Sequence, residues 1–245
     1  MIEIPASAGR TDVRRRILSG ITIVAGVLTV VAGVLAQSAG VHPVSGRRFA
    51  GVMGAEGADW LDRSERESEE APAKALDAIG IAKGSAVADI GAGSGYFTVR
   101  LAERVGPTGK VYANDIQPEM LVLLRRRLEL GHITNVTLVQ GAIDDPKLPS
   151  SAIDLELLVD VYHEFSQPQA MLRHLRDALK PDGRLVLLEY RKEDPAIPIR
   201  PEHKMTVAEA KLEVEHEGYR LAQVKEDLPR QHILIFLNEL PPERR

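Results

Sequence analysis

The sequence predicts a doubly wound α/β fold, and three observations carry that expectation. Short apolar runs alternate with helix-period segments from Pro72 to the C-terminus; a glycine-rich stretch falls where the first run meets the first helical segment; and an acidic residue, Asp115, closes the second run. Repeated βα units require a mostly parallel sheet, and two final apolar runs joined through Pro229-Arg230 add an antiparallel hairpin at its edge.

Taken in order, residues 17–36 are twenty residues without a charge, preceded by Arg14-Arg15-Arg16. As an N-terminal apolar helix they span ~30 Å, the thickness of a bilayer core. Val34-Leu35-Ala36 also presents the small residues that a signal peptidase needs, so residues 1–36 are expected to be a membrane anchor or a cleaved signal peptide. With the arginines cytoplasmic, the rest of the chain is expected on the outer face, membrane-anchored or exported. Residues 37–58 are rich in glycine with no apolar period and read as a linker; 59–71 read as a charged surface helix, with Trp60 as its anchor. Residues 72–245 form the domain. Its strands are expected at 85–90, 110–115, 136–140, 152–160, 183–190, 219–225 and 231–238, a seven-stranded, Rossmann-like sheet. Helices are expected at 95–105, 118–131 and 167–180, the last stopped by Lys180-Pro181-Asp182-Gly183, and from about Met205 to Glu217.

Composition excludes several function classes. The N-terminal 36 residues carry a net +2 and the remainder a net −6, a mildly acidic body unsuited to phosphate backbones. Aromatic residues make up 4% of the chain, too few for a base-stacking platform, so Arg125-Arg126-Arg127 reads as a solvated face and no nucleic-acid partner is expected. Without cysteine there is no disulfide scaffold, thiolate metal site or cysteine nucleophile. No histidine pair has i, i+4 spacing and no acidic run resembles a calcium loop, so the sequence implies no metal.

Asp89-Ile90-Gly91-Ala92-Gly93-Ser94-Gly95 joins the first strand to the first helix, where such folds bind nucleotide-like ligands. Gly93 and Gly95 are two apart and Tyr96 follows, which departs from the dinucleotide fingerprint and disfavours a nicotinamide-dependent oxidoreductase. Asp115, twenty residues after Gly95, is placed to accept hydrogen bonds from both hydroxyls of a ribose. With these, VADIGAGSGYFTVRLAERVG, VYANDIQPEML, IDLELLVDVYHEF and LKPDGRLVLLEY stand in the order found in class I S-adenosylmethionine-dependent methyltransferases, which residues 75–240 resemble. The resemblance implies S-adenosyl-L-methionine as cofactor. Asp89, Gly91, Gly93 and Gly95 would hold its methionine part, Asp115 its ribose, and Ile116 one face of its adenine. Where the family often carries an acidic residue for the adenine amino group this chain has Ala142, with Asp144 or Asp145 as substitutes and Ile143 as an apolar wall.

The resemblance also places the acceptor beside Asp160-Val161-Tyr162-His163-Glu164-Phe165. His163 is the first candidate for a general base and Asp160 for orienting donor or acceptor, with Glu164 and Tyr162 behind them. Glu189, Tyr190 and Arg191 at the end of the fifth strand, His203 in the following polar loop and His232 at the terminal hairpin could line the same cleft but are read first as structural; His174 and His216 are read as surface residues. The expected function is methyl transfer to a small-molecule acceptor. The alternatives are a tethered or exported domain that binds the donor without turnover, motivated by an N-terminus that predicts export of a protein whose donor is cytosolic, and the oxidoreductase.

Overall fold

The computed structural model describes residues 40–239. Strands β1 (Ala86–Ile90), β2 (Lys110–Asp115), β3 (Val136–Gln140), β4 (Ile153–Val159), β5 (Leu179–Tyr190), β6 (Tyr219–Lys225) and β7 (Gln231–Asn238) form one sheet in the order β3-β2-β1-β4-β5-β7-β6. The first five are parallel, and β7 runs antiparallel to both β5 and β6. Strand order reverses between β1 and β4, and the crevice that opens at the carboxyl ends of such a pair is where this architecture takes ligands. The seven-stranded sheet and terminal hairpin agree with the sequence expectation.

Seven helices are described: α1 (Ala58–Leu61), α2 (Arg66–Glu70), α3 (Pro72–Ile79), α4 (Tyr96–Val105), α5 (Pro118–Leu130), α6 (Pro168–Ala178) and α7 (Val207–Glu215). Their apolar spacing shows why they fold where they do. In α6, Met171, Leu172, Leu175 and Ala178 recur at three- and four-residue steps, and all four are buried against β4 and β5 residues such as Ile153 and Leu185. On the opposite face Leu76 and Ile79 of α3 pack with Leu101 and Val105 of α4 over Val87, Leu157 and Val186. Covered on both sides, β1 and β4 bury residues on both of their faces, so apart from Asp89, Asp154 and Glu156 every residue in them is apolar.

Four expectations are corrected. Residues 72–79, which lie before the first expected strand and in none of the expected helices, form α3, begun by Pro72 in its first turn. The charged segment 59–71 is not one surface helix but the two short helices α1 and α2, bent so that Arg66 and Glu70 are buried; Trp60 stays 40% exposed with the Arg63 guanidinium 3.7 Å from its ring centroid. β5 starts at Leu179, four residues before its expected start, because a register shift opposite Ile153 and Leu155 accommodates the Pro181-Asp182-Gly183 turn inside the strand. Residues 40–54, expected as part of a linker, lie against the domain. Arg47 forms a two-pronged ion pair with Glu213 of α7, both hydrogen bonds at 3.0 Å, and His42, Arg47 and Phe49 are buried. The apolar segment 17–36 falls outside the described residues; among those described, no helix is long and apolar enough to cross a membrane.

Candidate active site

The loop after β1 has a geometry that only its glycines allow. Gly91 has φ +68°, and a Cβ there would overlap the Val161 side chain; Gly93 has φ +54° with its α-carbon face against Leu61. Gly93 N–H donates to Asp115 Oδ2 and Gln117 N–H to Asp115 Oδ1, each at 2.9 Å, so the acid closing β2 organises the loop closing β1. One bond per oxygen leaves each Asp115 oxygen further acceptor capacity, as a ribose diol requires. Burial raises the Asp115 pKa, opposed by these backbone donors. Asp89 is buried and accepts from Thr98 Oγ1 at 2.6 Å; burial moves its pKa up to about 6, a cost that a cationic ligand would offset. Ser94 Oγ, buried in the loop just before Gly95 leads into α4, has no protein partner. An orphaned buried hydroxyl and two buried carboxylates beside the loop fit a ligand with a diol and a positive charge. Ile116 follows Asp115, half-buried. Ile143 and Asp144 are exposed in the loop after β3, and no bond draws Asp144 inward; Asp145 is occupied, its Oδ1 accepting from Lys147 N–H at 2.7 Å.

Across the crevice, β4 is followed by Asp160, whose φ of +52° is rare for a residue with a Cβ and marks a forced turn. Its Oδ2 accepts from Gln231 Nε2 at 2.7 Å while Oδ1 is buried without a partner; burial, with Glu70 and Glu189 nearby, holds its pKa well above the carboxylate range. The next turn, Tyr162–Glu164, carries His163 into the interior. His163 Nδ1 lies 2.6 Å from Glu189 Oε2, and Glu189 Oε1 accepts from Tyr162 N–H at 3.0 Å, so the carboxylate fixes both ring and turn. Burial opposes charge on His163, but Glu189 outweighs it and raises the imidazole pKa. His163 Nε2 is 3.2 Å from His203 Nδ1, whose own pKa is lowered by burial and by His163. Glu164 is pushed up to about 7 by burial. Ligand atoms of His163, Glu164 and His203 all lie within 4.8 Å of one another, a group able to hold a metal ion that the sequence spacing does not reveal.

The N-terminal segment ties the two sides together. Ala50 N–H and Arg47 Nη1 donate to the His163 carbonyl at 3.0 and 3.1 Å; Met53 N–H donates to Glu164 Oε1 at 3.3 Å, and Met53 O accepts from Gln117 Nε2 at 2.9 Å. Arg66, stacked 4.2 Å from the Tyr96 ring centroid, pairs with Glu70 at 2.6 Å, and Glu70 accepts from Tyr190 Oη at 2.7 Å. Tyr162, expected near an acceptor, is instead wholly buried in the core against Phe165. Glu189 and His203, read as structural, belong to the site. Arg191 holds the backbone at Leu228 and Gln231, and His232 lies between Glu193 and Glu226. His174 and His216 are exposed, Arg125 and Arg126 likewise, and Arg127 pairs with Asp62 at 2.6 Å.

Comparison with known proteins bears on this geometry. A model of the methyltransferase domain matches residues 81–230. Among curated proteins, the ubiquinone/menaquinone biosynthesis C-methyltransferase UbiE of Pasteurella multocida is 34% identical over 118 residues, 48% of this chain and 44% of that protein. The same enzyme of Escherichia fergusonii is 33% identical over 118 residues, 48% of this chain and 47% of its own length. This chain therefore spans less than half the length of the curated relatives it matches. A SAM dependent methyltransferase from Aquifex aeolicus has a TM-score of 0.72 and 27% identity, over 76% of this chain and 98% of that one. A type 11 methyltransferase from Sulfolobus solfataricus (TM-score 0.58, 20% identity, 71% of this chain and 95% of that one) shares the fold.

Proposed function

The chain belongs to the methyltransferase-domain family, and from that premise we propose that it transfers a methyl group from S-adenosylmethionine to a small-molecule acceptor. The observation that carries this reading is the pairing of the Gly91–Gly95 loop with Asp115 directly opposite the Asp160–Glu164 turn. When bound, S-adenosylmethionine supplies a methyl on a sulfonium sulfur, which an acceptor lone pair takes in line while the C–S electron pair stays on sulfur. The protein's part is positioning. Asp115 receives the ribose hydroxyls, Asp89 and the loop face the methionine end, Ile116 and Ile143 with Asp144 stand at the adenine end, and the strap from Phe49 to Met53 bonds to Gln117 on one side and to His163 and Glu164 on the other. On the acceptor side, His163 with Glu189 behind it is arranged to take the proton of an oxygen or nitrogen acceptor, and Asp160 to orient donor or acceptor. The glycine spacing and the family match both favour this over a nicotinamide oxidoreductase.

Residues 17–36 complete the reading as an anchor or export signal that puts the domain on the outer face of a membrane; cytoplasmic signal from a reporter fused after Arg245 would overturn that placement. The catalytic reading is tested by calorimetric titration of the full chain with S-adenosylmethionine and, separately, NADH. Binding of the sulfonium donor alone is expected; binding of NADH alone, or of neither by folded protein, overturns it.

A further inference from the structure

From the convergence of three side chains we infer that His163, Glu164 and His203 form a site for a divalent transition-metal ion, whose open positions take an oxygen of the methyl acceptor. The inference rests on the acceptor side assigned above and deepens it. His163 Nδ1 is committed to Glu189 at 2.6 Å, which leaves Nε2 as the outward ligand atom. Glu189 is itself buried, and a carboxylate behind a histidine is the arrangement that fixes ring orientation and strengthens the donor nitrogen at metal sites. His163 Nε2 and His203 Nδ1 stand 3.2 Å apart. Two nitrogens bound at ~2.1 Å to neighbouring positions of one tetrahedral or octahedral ion are separated by ~3.0–3.4 Å, so these two atoms need no large movement to share a cation. Glu164 contributes a carboxylate oxygen within 4.8 Å of both, and its own backbone is held by the turn that carries His163.

Two imidazoles and one carboxylate suit zinc, iron(II) or cobalt(II) better than magnesium or calcium, and three protein ligands leave at least one position for an outside molecule. A phenol, enol or other hydroxyl-bearing acceptor would fill it through oxygen, placed across the crevice from the donor loop. A bound ion would lower the pKa of the acceptor hydroxyl it holds, so that its proton could pass to solvent; the ion would thereby take over the task assigned above to His163 as base, whose Nε2 would then be a ligand.

The full chain, stripped with a chelator, is titrated calorimetrically with Zn2+, and cobalt uptake is followed by visible absorption. One ion per chain is expected. Glu189→Gln, which removes the charge and leaves a single oxygen where the carboxylate accepts from both Tyr162 N–H and His163 Nδ1–H, should lower affinity by about 10- to 100-fold. His203→Asn, on a half-exposed loop that leaves the core intact, should lower it further and change the cobalt spectrum. No stoichiometric uptake by the wild type, or uptake unchanged in both variants, overturns the site. The same metal-free samples are titrated with S-adenosylmethionine: a chain that binds the donor but no metal overturns this site alone, and a chain that binds neither overturns the methyl-transfer reading with it.

Discussion

The two sides of the crevice are built differently. On the donor side the working parts come from two short contiguous stretches, Asp89–Gly95 and Asp115–Gln117, joined by backbone N–H groups donating to one carboxylate. On the acceptor side they come from the ends of β4 and β5, the loop before α7 and an N-terminal strap, joined by side chains: His163 to Glu189, His163 to His203, Arg47 to Glu213. A backbone-held site survives most substitutions around it. A site held by buried side-chain pairs depends on each partner, because removing one leaves the other charged or polar and dry.

That contrast makes its strongest prediction at Arg47. Arg47→Met strips Glu213 of its buried guanidinium and is expected to cost about 3–5 kcal/mol of stability in denaturant unfolding, with the affinity for S-adenosylmethionine unchanged in the folded fraction. An equal loss of donor affinity would show that the sides are not separable. Next, Asp115→Ala removes the acceptor of two charge-assisted ribose bonds and should weaken donor binding by about 3 kcal/mol, roughly 150-fold. His163→Ala is expected to spare donor affinity and lower turnover. Unchanged affinity in the Asp115 variant would refute the ribose assignment.

Glu156 sharpens the comparison from beneath. It lies in the middle of β4, fully buried, with neither carboxylate oxygen partnered, and burial raises its pKa well above 4.5. A raised folded value means its contribution is most favourable below pH ~4.5 and is lost as pH rises through the folded value. Glu156→Leu should therefore be more stable than wild type at neutral pH by about 1–3 kcal/mol, with the gap closing toward pH 4.5 in thermal melts. The smallest effect expected is on donor affinity. With Asp89 at about 6 in the free protein and its carboxylate form favoured by a cationic donor, affinity should fall about tenfold from pH 7 to pH 5. Calorimetry across that range checks it, and Asp89→Asn should flatten the profile.

Legibility followed the same division. Strands β1 to β4, β6 and β7 were readable within a residue or so because each is a run of apolar or alternating residues bounded by turn formers. The start of β5 was not, because Pro181-Asp182-Gly183 carries a turn's chemistry and only pairing with β4 holds it extended. Gly91, Gly93, Gly95 and Asp115 announced themselves through spacing, since their contacts are local or fixed by one βα step. Tyr162 was misplaced because the turn that sends His163 toward the crevice sends its neighbour into the core. Glu189 and His203 were legible only as residues able to line the cleft, one at a strand end and one in a polar loop; that they touch His163 depends on loops whose path no periodicity describes.

By itself, then, the sequence determined the order of strands and helices, the glycine loop and the acid that faces it, because hydrophobic period and turn chemistry act over a few residues. Only the tertiary structure decided that residues 40–54 strap the site, and that His163, Glu164, Glu189 and His203 meet. A parallel sheet gathers the carboxyl ends of its strands at one edge, and which side chains converge there depends on loops and buried ion pairs that close over distances no local pattern encodes.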